Sequence, residues 1–158
     1  MDSLDLSKYE KIKPIGSGQF GDVYKIRDKE TGEFFAAKIS KRPFEDLKND
    51  FRNLESEISI IAKINHPAIL KFIGFSLTNF EKNNFPTIVT GYCQNGTLND
   101  ILVKSAKGLA PEEWNDTMKL INIYGIAVAM AFLHSNSILH RDLKPENILL
   151  DEYLFPVI

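Results

Sequence analysis

A single cysteine, Cys93, stands among 158 residues, so no internal disulfide is available and the composition fits a reducing compartment. Surplus positive charge is missing too. The 19 Lys and Arg against 21 Asp and Glu give a formal net charge of −2, which offers no basic field for nucleic-acid backbones. The N-terminal MDSLDLSKYE is acidic and lacks the apolar core of a secretory signal. The longest apolar stretch, IYGIAVAMAFL, is about half of the ~20 residues that a membrane-spanning helix needs, so no membrane span is expected. No repeat or low-complexity segment is visible. What remains, 44% hydrophobic and 25% charged, is the composition of an ordinary soluble globular protein with one real core, expected in the cytoplasm.

The pattern along the chain changes from strand-like to helical. KIKPIGSGQFGDVYKIRDKETGEFFAAKIS reads as three strands, punctuated by glycines at 16 to 21 and by an Asp-Lys-Glu-Thr-Gly turn at 28 to 32. Leu47, Phe51, Leu54, Ile58 and Ile61 then recur at helical spacing, predicting an amphipathic helix that ends near Asn65-His66-Pro67. AILKFIGFS and PTIVTGYC read as two more strands. Thr97, with Asp100 three residues on, predicts the N-cap of a short helix, TLNDILVK. A long helix is predicted to start after Pro111 and to run to about His134. Its middle, LINIYGIAVAMAFL, is apolar on nearly all sides, which points to burial all round. Strands first and helices later make an α+β fold with two subregions joined near residues 91 to 96.

Three stretches carry chemistry. GSGQFG fits G-x-G-x-x-G, in which bare backbone can approach phosphates. A dinucleotide fold would open a helix at the third glycine, but DVYKIRD reads as a strand, and no Gly-Lys-Ser/Thr follows for a Walker loop. A β-hairpin with glycines at its tip remains, either an ordinary tight hairpin or the phosphate-covering G-x-G-x-x-G-x-V form with Val23 in place. In the next strand Ala36 and Lys38 share a face, and a lysine framed by Ala, Ala and Ile in a strand core calls for an anionic partner. The amphipathic helix offers Glu55 and Glu57; Glu57 lies nearer the stripe set by Ile58, Ile61 and Ile64 and is the choice. In HRDLKPEN, between Ile138-Leu139 and Ile148-Leu149-Leu150, apolar flanks are expected to anchor the loop in a core at both ends. There a carboxylate can accept a hydroxyl proton, a lysine can neutralise a moving phosphoryl group, and an amide oxygen can ligate Mg²⁺.

GSGQFGDVY, AAK, the helix Glu, NHPAIL, VTGYCQNGTL and HRDLKPEN occur in this order across essentially the whole chain, and together they resemble the eukaryotic protein kinases. Lys144-Pro145-Glu146 is the serine/threonine form of the loop, and VTGYCQNGTL resembles the tyrosine-kinase-like group. The resemblance implies a five-stranded antiparallel N-lobe sheet with one helix (about 9–90), a hinge (91–96) and the first part of a mostly helical C-lobe (97–158). It implies ATP and Mg as cofactors and a protein substrate with a Ser/Thr hydroxyl. Gly16, Gly18 and Gly21 would cover the ATP phosphates, and Ile15, Val23 and Ala36 would pack over adenine. Lys38 would hold the α- and β-phosphates and pair with Glu57. Thr90 matches the gatekeeper, Gly91, Tyr92 and Cys93 the hinge, and Leu149 the pocket floor. Asp142 would be the catalytic base, Lys144 the phosphate contact and Asn147 a metal ligand.

Two departures qualify the resemblance. Gly91 stands where many kinases have Glu; since the hinge acts through its backbone, the cost is small. More consequentially, FPVI would begin the strand leading to Asp-Phe-Gly, and the sequence stops at Ile158. Asp151, followed by Glu-Tyr, comes too early to replace that aspartate. The reading is a partial kinase domain, inactive by itself, whose long helix lacks cover and promotes self-association. The alternative is a non-catalytic module that binds nucleotide or another kinase. A small-molecule phosphotransferase of related fold is disfavoured by Arg141 and the Lys-Pro-Glu run.

Overall fold

The computed structural model describes residues 3–44 and 58–158. They fall into two compact units that divide between Tyr92 and Cys93, with residues 65–70 joining the second. Sequence order alone groups 65–70 with the first region. Backbone pairing explains the difference: Leu70 N–H donates to Ile158 O (2.8 Å) and Ile158 N–H to Ala68 O (3.0 Å). The His66 ring also lies 4.7 Å from that of Phe132, between centroids.

The first unit is an antiparallel sheet of β1 (Tyr9–Ser17), β2 (Gly21–Asp28), β3 (Phe34–Ser40), β4 (Phe72–Ser76) and β5 (Thr87–Gly91), in the order β1-β2-β3-β5-β4. Pro14 is tolerated because β1 is an edge strand, and a register shift accompanies it. The β2–β3 turn is built by Asp28, whose Oδ1 accepts from Glu30 N (2.8 Å) and Thr31 N (2.9 Å), while Gly32 takes the left-handed φ of 75°. Alternation sends Ile26, Phe35, Ala37 and Val89 to one face, where they form the core with Leu6 and Tyr9. Tyr9 meets Phe35 edge to face at 5.8 Å. Residues before β1 cross this core. Leu4 N–H donates to Phe75 O of β4 (2.6 Å), and Lys11 of β1 pairs with Glu81 of the β4–β5 loop (2.8 Å). Of the amphipathic helix, only the last turn at 58–61 is described; it is helical, with Ile58 buried.

The second unit contains α1 (Leu98–Ala106), α2 (Asp116–Ser135), β6 (Leu149–Leu150) and β7 (Pro156–Val157). Thr97 and Asp100 form the expected capping box. The long helix starts after Pro111, as expected, at Asp116: Trp114 belongs to a core with Ile101, Leu150 and Leu154, and Asn115 caps α2 through Met118 N–H (3.1 Å). Asn122, buried on α2, donates to Leu154 O (2.9 Å), and a Cβ on Gly125 would stand 2.7 Å from Pro156 Cγ. Burial all round is not observed. Asn122, Ala129 and Leu133 are buried, whereas Leu120, Ile123 and Tyr124 are 66%, 65% and 73% exposed, because α2 packs on β7 along one side. At 20 residues and a mean hydropathy of 1.4, α2 is long and apolar enough to cross a membrane by length and composition alone. Its seating through Asn122 and Gly125 is that of a helix packed within a domain.

Candidate active site

Sheet register places the candidate residues of the first unit on one face, opposite the core. Val23 lies between Gly16 and Lys38 in adjacent strands, and Ala36 between Lys25 and Thr90. Ile15 is 41% exposed near the tip of β1. The glycines of the hairpin serve different ends. Gly18 N–H closes the tip on Gly21 O (3.0 Å), and a Cβ on Gly18 would meet nothing within 4 Å. A Cβ on Gly16 would make only ordinary contact with Val23, at 3.7 Å. Gly21 is different, because its Cβ would stand 2.5 Å from Ile39 O, so the pairing of β2 with β3 itself requires glycine there.

Lys38 is exposed on this face rather than held in a strand core, since the buried residues of β3 are Phe35 and Ala37. Its Nζ lies 6.0 Å from the Phe20 ring centroid, and among the described residues no carboxylate pairs with it. Glu55 and Glu57 lie outside the described residues. At the end of β5, Thr90 Oγ1 donates to Gly91 O (3.2 Å), and Gly91 N–H is engaged by Lys71 O (2.8 Å). Tyr92 packs edge-on to Phe34, and Lys25 Nζ sits 3.7 Å and 4.5 Å from the two ring centroids. Cys93 is half-buried, and burial together with Asp151 pushes its thiol up to about 11.

In the second unit the charged loop folds back on itself. Arg141 adopts a left-handed φ of 65°, uncommon for a non-glycine residue, which turns the chain back on itself. That reversal, with the 3-10 turn Pro145–Asn147, brings three side chains together. Lys144 Nζ lies 3.0 Å from Asp142 Oδ2, and Asn147 Nδ2 donates to the same oxygen (2.7 Å) and to Asp142 O (2.9 Å). The Lys144 and Asn147 hydrogen bonds hold the Asp142 carboxyl below its ordinary range. The loop's C-terminal flank is buried at Ile148 and Leu150; on its N-terminal side Ile138 is half-buried and donates its N–H to Leu133 O (2.9 Å), whereas Leu139 is 65% exposed. Leu149 lies in β6, opposite Val157 and bridged to Thr97. Asp151 is a structural carboxylate, accepting from Tyr153 N (2.9 Å) and Phe155 N (2.8 Å) to close the β6–β7 turn.

Among the described residues no group of three His, Cys, Asp or Glu could hold a metal by itself. The Asn147 amide nitrogen is spent on Asp142, leaving its Oδ1 as the outward acceptor. That suits a hard cation delivered with phosphate oxygens better than a resident protein-caged metal.

Sequence reasoning missed Lys41, whose ammonium reaches Ser17, Gly18 and Asp22 at the hairpin tip. No local signal marks it, because it belongs to no motif and its partners are about 20 residues away along an extended chain.

The whole pattern has known counterparts. A family described as "Protein kinase domain" matches residues 9–155. A probable serine/threonine-protein kinase of Dictyostelium discoideum is 39% identical over 145 residues, covering 92% of this chain and 26% of the relative. Protein kinase 3 of the same organism is 34% identical over 149 residues, covering 94% and 15%. Probable serine/threonine protein kinase IRE4 of Arabidopsis thaliana is 35% identical over 149 residues, covering 94% and 13%. The chain thus spans about a quarter or less of the length of these curated relatives. With the five-stranded sheet, the glycine hairpin and the Asp142–Lys144–Asn147 cluster all inside the matched span, the chain belongs to the protein kinase family.

Proposed function

We propose that these residues serve an ATP-dependent protein serine/threonine kinase. The observation that carries the reading is the convergence of Lys144 and Asn147 on one Asp142 carboxylate oxygen. Held ionised by those two partners, Asp142 accepts the proton of an attacking serine or threonine hydroxyl. Lys144 turns from Asp142 to the transferring phosphoryl group as charge develops there. Asn147 offers Oδ1 to Mg²⁺, which supplies charge neutralisation at the phosphates when bound. In the first unit, the Gly16–Gly21 hairpin covers the phosphates, Lys38 contacts the α- and β-phosphates and pairs with Glu57, and Ile15, Val23 and Ala36 pack on adenine. Thr90 and Tyr92 of the first unit are assigned to the base, and so, in the second unit, are Cys93 and Leu149. Protein kinases as a family use ATP and Mg²⁺, and the cytoplasm, with its reducing thiol pool, is the proposed location.

A second reading is a nucleotide-binding module without turnover. It is favoured by the described residues, which contain no group of three His, Cys, Asp or Glu that could hold a metal by itself. Isothermal titration of the polypeptide with ATP, with and without Mg²⁺, tests what both readings share. Saturable binding that Lys38→Met weakens by tenfold or more is expected, and no binding refutes both. Phosphotransfer to a protein substrate then separates them, because turnover abolished by Asp142→Asn supports the kinase reading and overturns the module.

A further inference from the structure

The glycine hairpin is held by a residue outside its own motif. Lys41 follows β3 directly, and its Nζ lies 3.0 Å from Ser17 Oγ, 2.9 Å from Gly18 O and 3.1 Å from Asp22 Oδ1. Ser17 Oγ in turn donates to Asp22 Oδ1 (2.6 Å), so one ammonium ties the outgoing strand, the tip and the returning strand together. Both partners draw the Asp22 carboxyl below its ordinary range, Ser17 more strongly than Lys41. The lysine is itself positioned. Its N–H donates to Phe20 O (3.4 Å), and Ser40 Oγ turns the chain by bonding to both Arg42 N (3.0 Å) and Arg42 O (2.9 Å). The close approach of Gly21 to Ile39 O sets the end of β3 beside the tip, which brings Lys41 within reach.

We infer that Lys41 is a positioning residue for nucleotide phosphates: it latches the Ser17–Gly18–Asp22 tip in a set geometry before ligand arrives. This rests on the proposed ATP-binding role of the hairpin, but the latch itself acts without ligand. A hairpin with bare glycines samples many backbone states, and phosphate binding must select one of them. Three bonds from one cation remove much of that search. The ammonium also partly neutralises Asp22, whose carboxylate it meets at 3.1 Å. The exposure of the network limits its strength to that of a surface ion-pair cluster.

Two measurements on the 158-residue chain test the inference. In the protein without nucleotide, Lys41→Met should speed amide hydrogen exchange at Gly18, whose N–H closes the tip, while Ala37 and Val89 stay protected. In titrations, Lys41→Met should weaken ATP binding by about two- to fivefold and leave adenosine binding unchanged, with Lys41→Arg restoring ATP affinity. Unchanged exchange at Gly18 overturns the latch, whatever the nucleotide result. Equal losses for ATP and adenosine also overturn it, because they mark a general structural defect. If the unmodified chain binds neither ligand while exchange responds as expected, the latch stands as a hairpin device and its phosphate role falls with the ATP reading.

Discussion

Replacing Gly21 and Gly18 separately by alanine should move stability in opposite directions, although both belong to one motif. At Gly21 the new Cβ would stand 2.5 Å from Ile39 O and 3.2 Å from Ile39 C, both backbone atoms that cannot swing aside. A relaxed carbon–oxygen contact is about 3.3–3.6 Å, so the start of β2 must retreat by roughly 1 Å. A hydrogen bond near ~2.9 Å stretched that far no longer counts as one. Losing one or two bonds at about 0.5–1.5 kcal/mol each is offset in part by about 0.4–1 kcal/mol from stiffening the unfolded chain. At mid-range values the net for Gly21→Ala is a loss of about 0.3–1.3 kcal/mol. Gly18 has nothing within 4 Å of a Cβ and no left-handed φ, so Gly18→Ala should gain about 0.4–1 kcal/mol. Native-state hydrogen exchange at the Lys38–Ser40 amides reads the difference directly. Finding Gly21→Ala as protected as Gly18→Ala would refute the close β2–β3 approach. Because Gly18→Ala spares the fold, any loss of ATP affinity it causes reports a clash with ligand alone.

Asn122→Leu should cost about 1–3 kcal/mol, because Leu154 O loses its buried donor, and urea unfolding followed by Trp114 fluorescence in the same unit measures it. Cys93, with its thiol raised to about 11, should alkylate with iodoacetamide at pH 8 at least about 100-fold more slowly than in urea. Labelling at the unfolded rate would contradict the burial. The Asp142 carboxyl should titrate below 3.8 by carbon-13 NMR, and Lys144→Met should raise its midpoint. Since its folded pKa is the lower one, what its ionisation adds to stability is present above the unfolded value and is lost as pH falls through the folded one. The 158-residue polypeptide should self-associate through the uncovered side of α2, and Leu120→Lys with Tyr124→Lys should shift sedimentation toward monomer. A monomeric wild-type chain at tens of micromolar would argue against that surface.

The sheet was legible because its strands alternate and its turns carry Asp28 and Gly32, local signals with local causes. The Thr97–Asp100 capping box was legible for the same reason. Where a long-range partner decides, the sequence misled. No local signal predicts that Trp114 lies in a core ahead of the helix; Leu150 and Leu154 supply that core from about 40 residues away. Lys38 looked buried because its neighbours are apolar, but the core side of β3 is the Phe35–Ala37 side. Of the apolar pair Ile138-Leu139, composition does not reveal that Ile138 is half-buried and Leu139 exposed. The charged loop could be read as a set of roles. The sharing of one Asp142 oxygen by Lys144 and Asn147, however, follows from the reversal at Arg141, which no residue type announces.

The segment ahead of β1 bears on where this domain starts. The family match opens at residue 9, yet Leu6 belongs to the core and Leu4 packs on Gly74, on the strand at the far edge of the sheet from β1. The leading residues therefore work as a strap drawn across an otherwise open sheet, with Leu4 N–H fastened to Phe75 O. A polypeptide begun at Tyr9 would keep every motif that identifies the family and lose the strap, baring Ile26, Ala37 and Val89 on the face opposite Val23, Ala36 and Lys38. The working boundary of the domain lies upstream of its recognisable one.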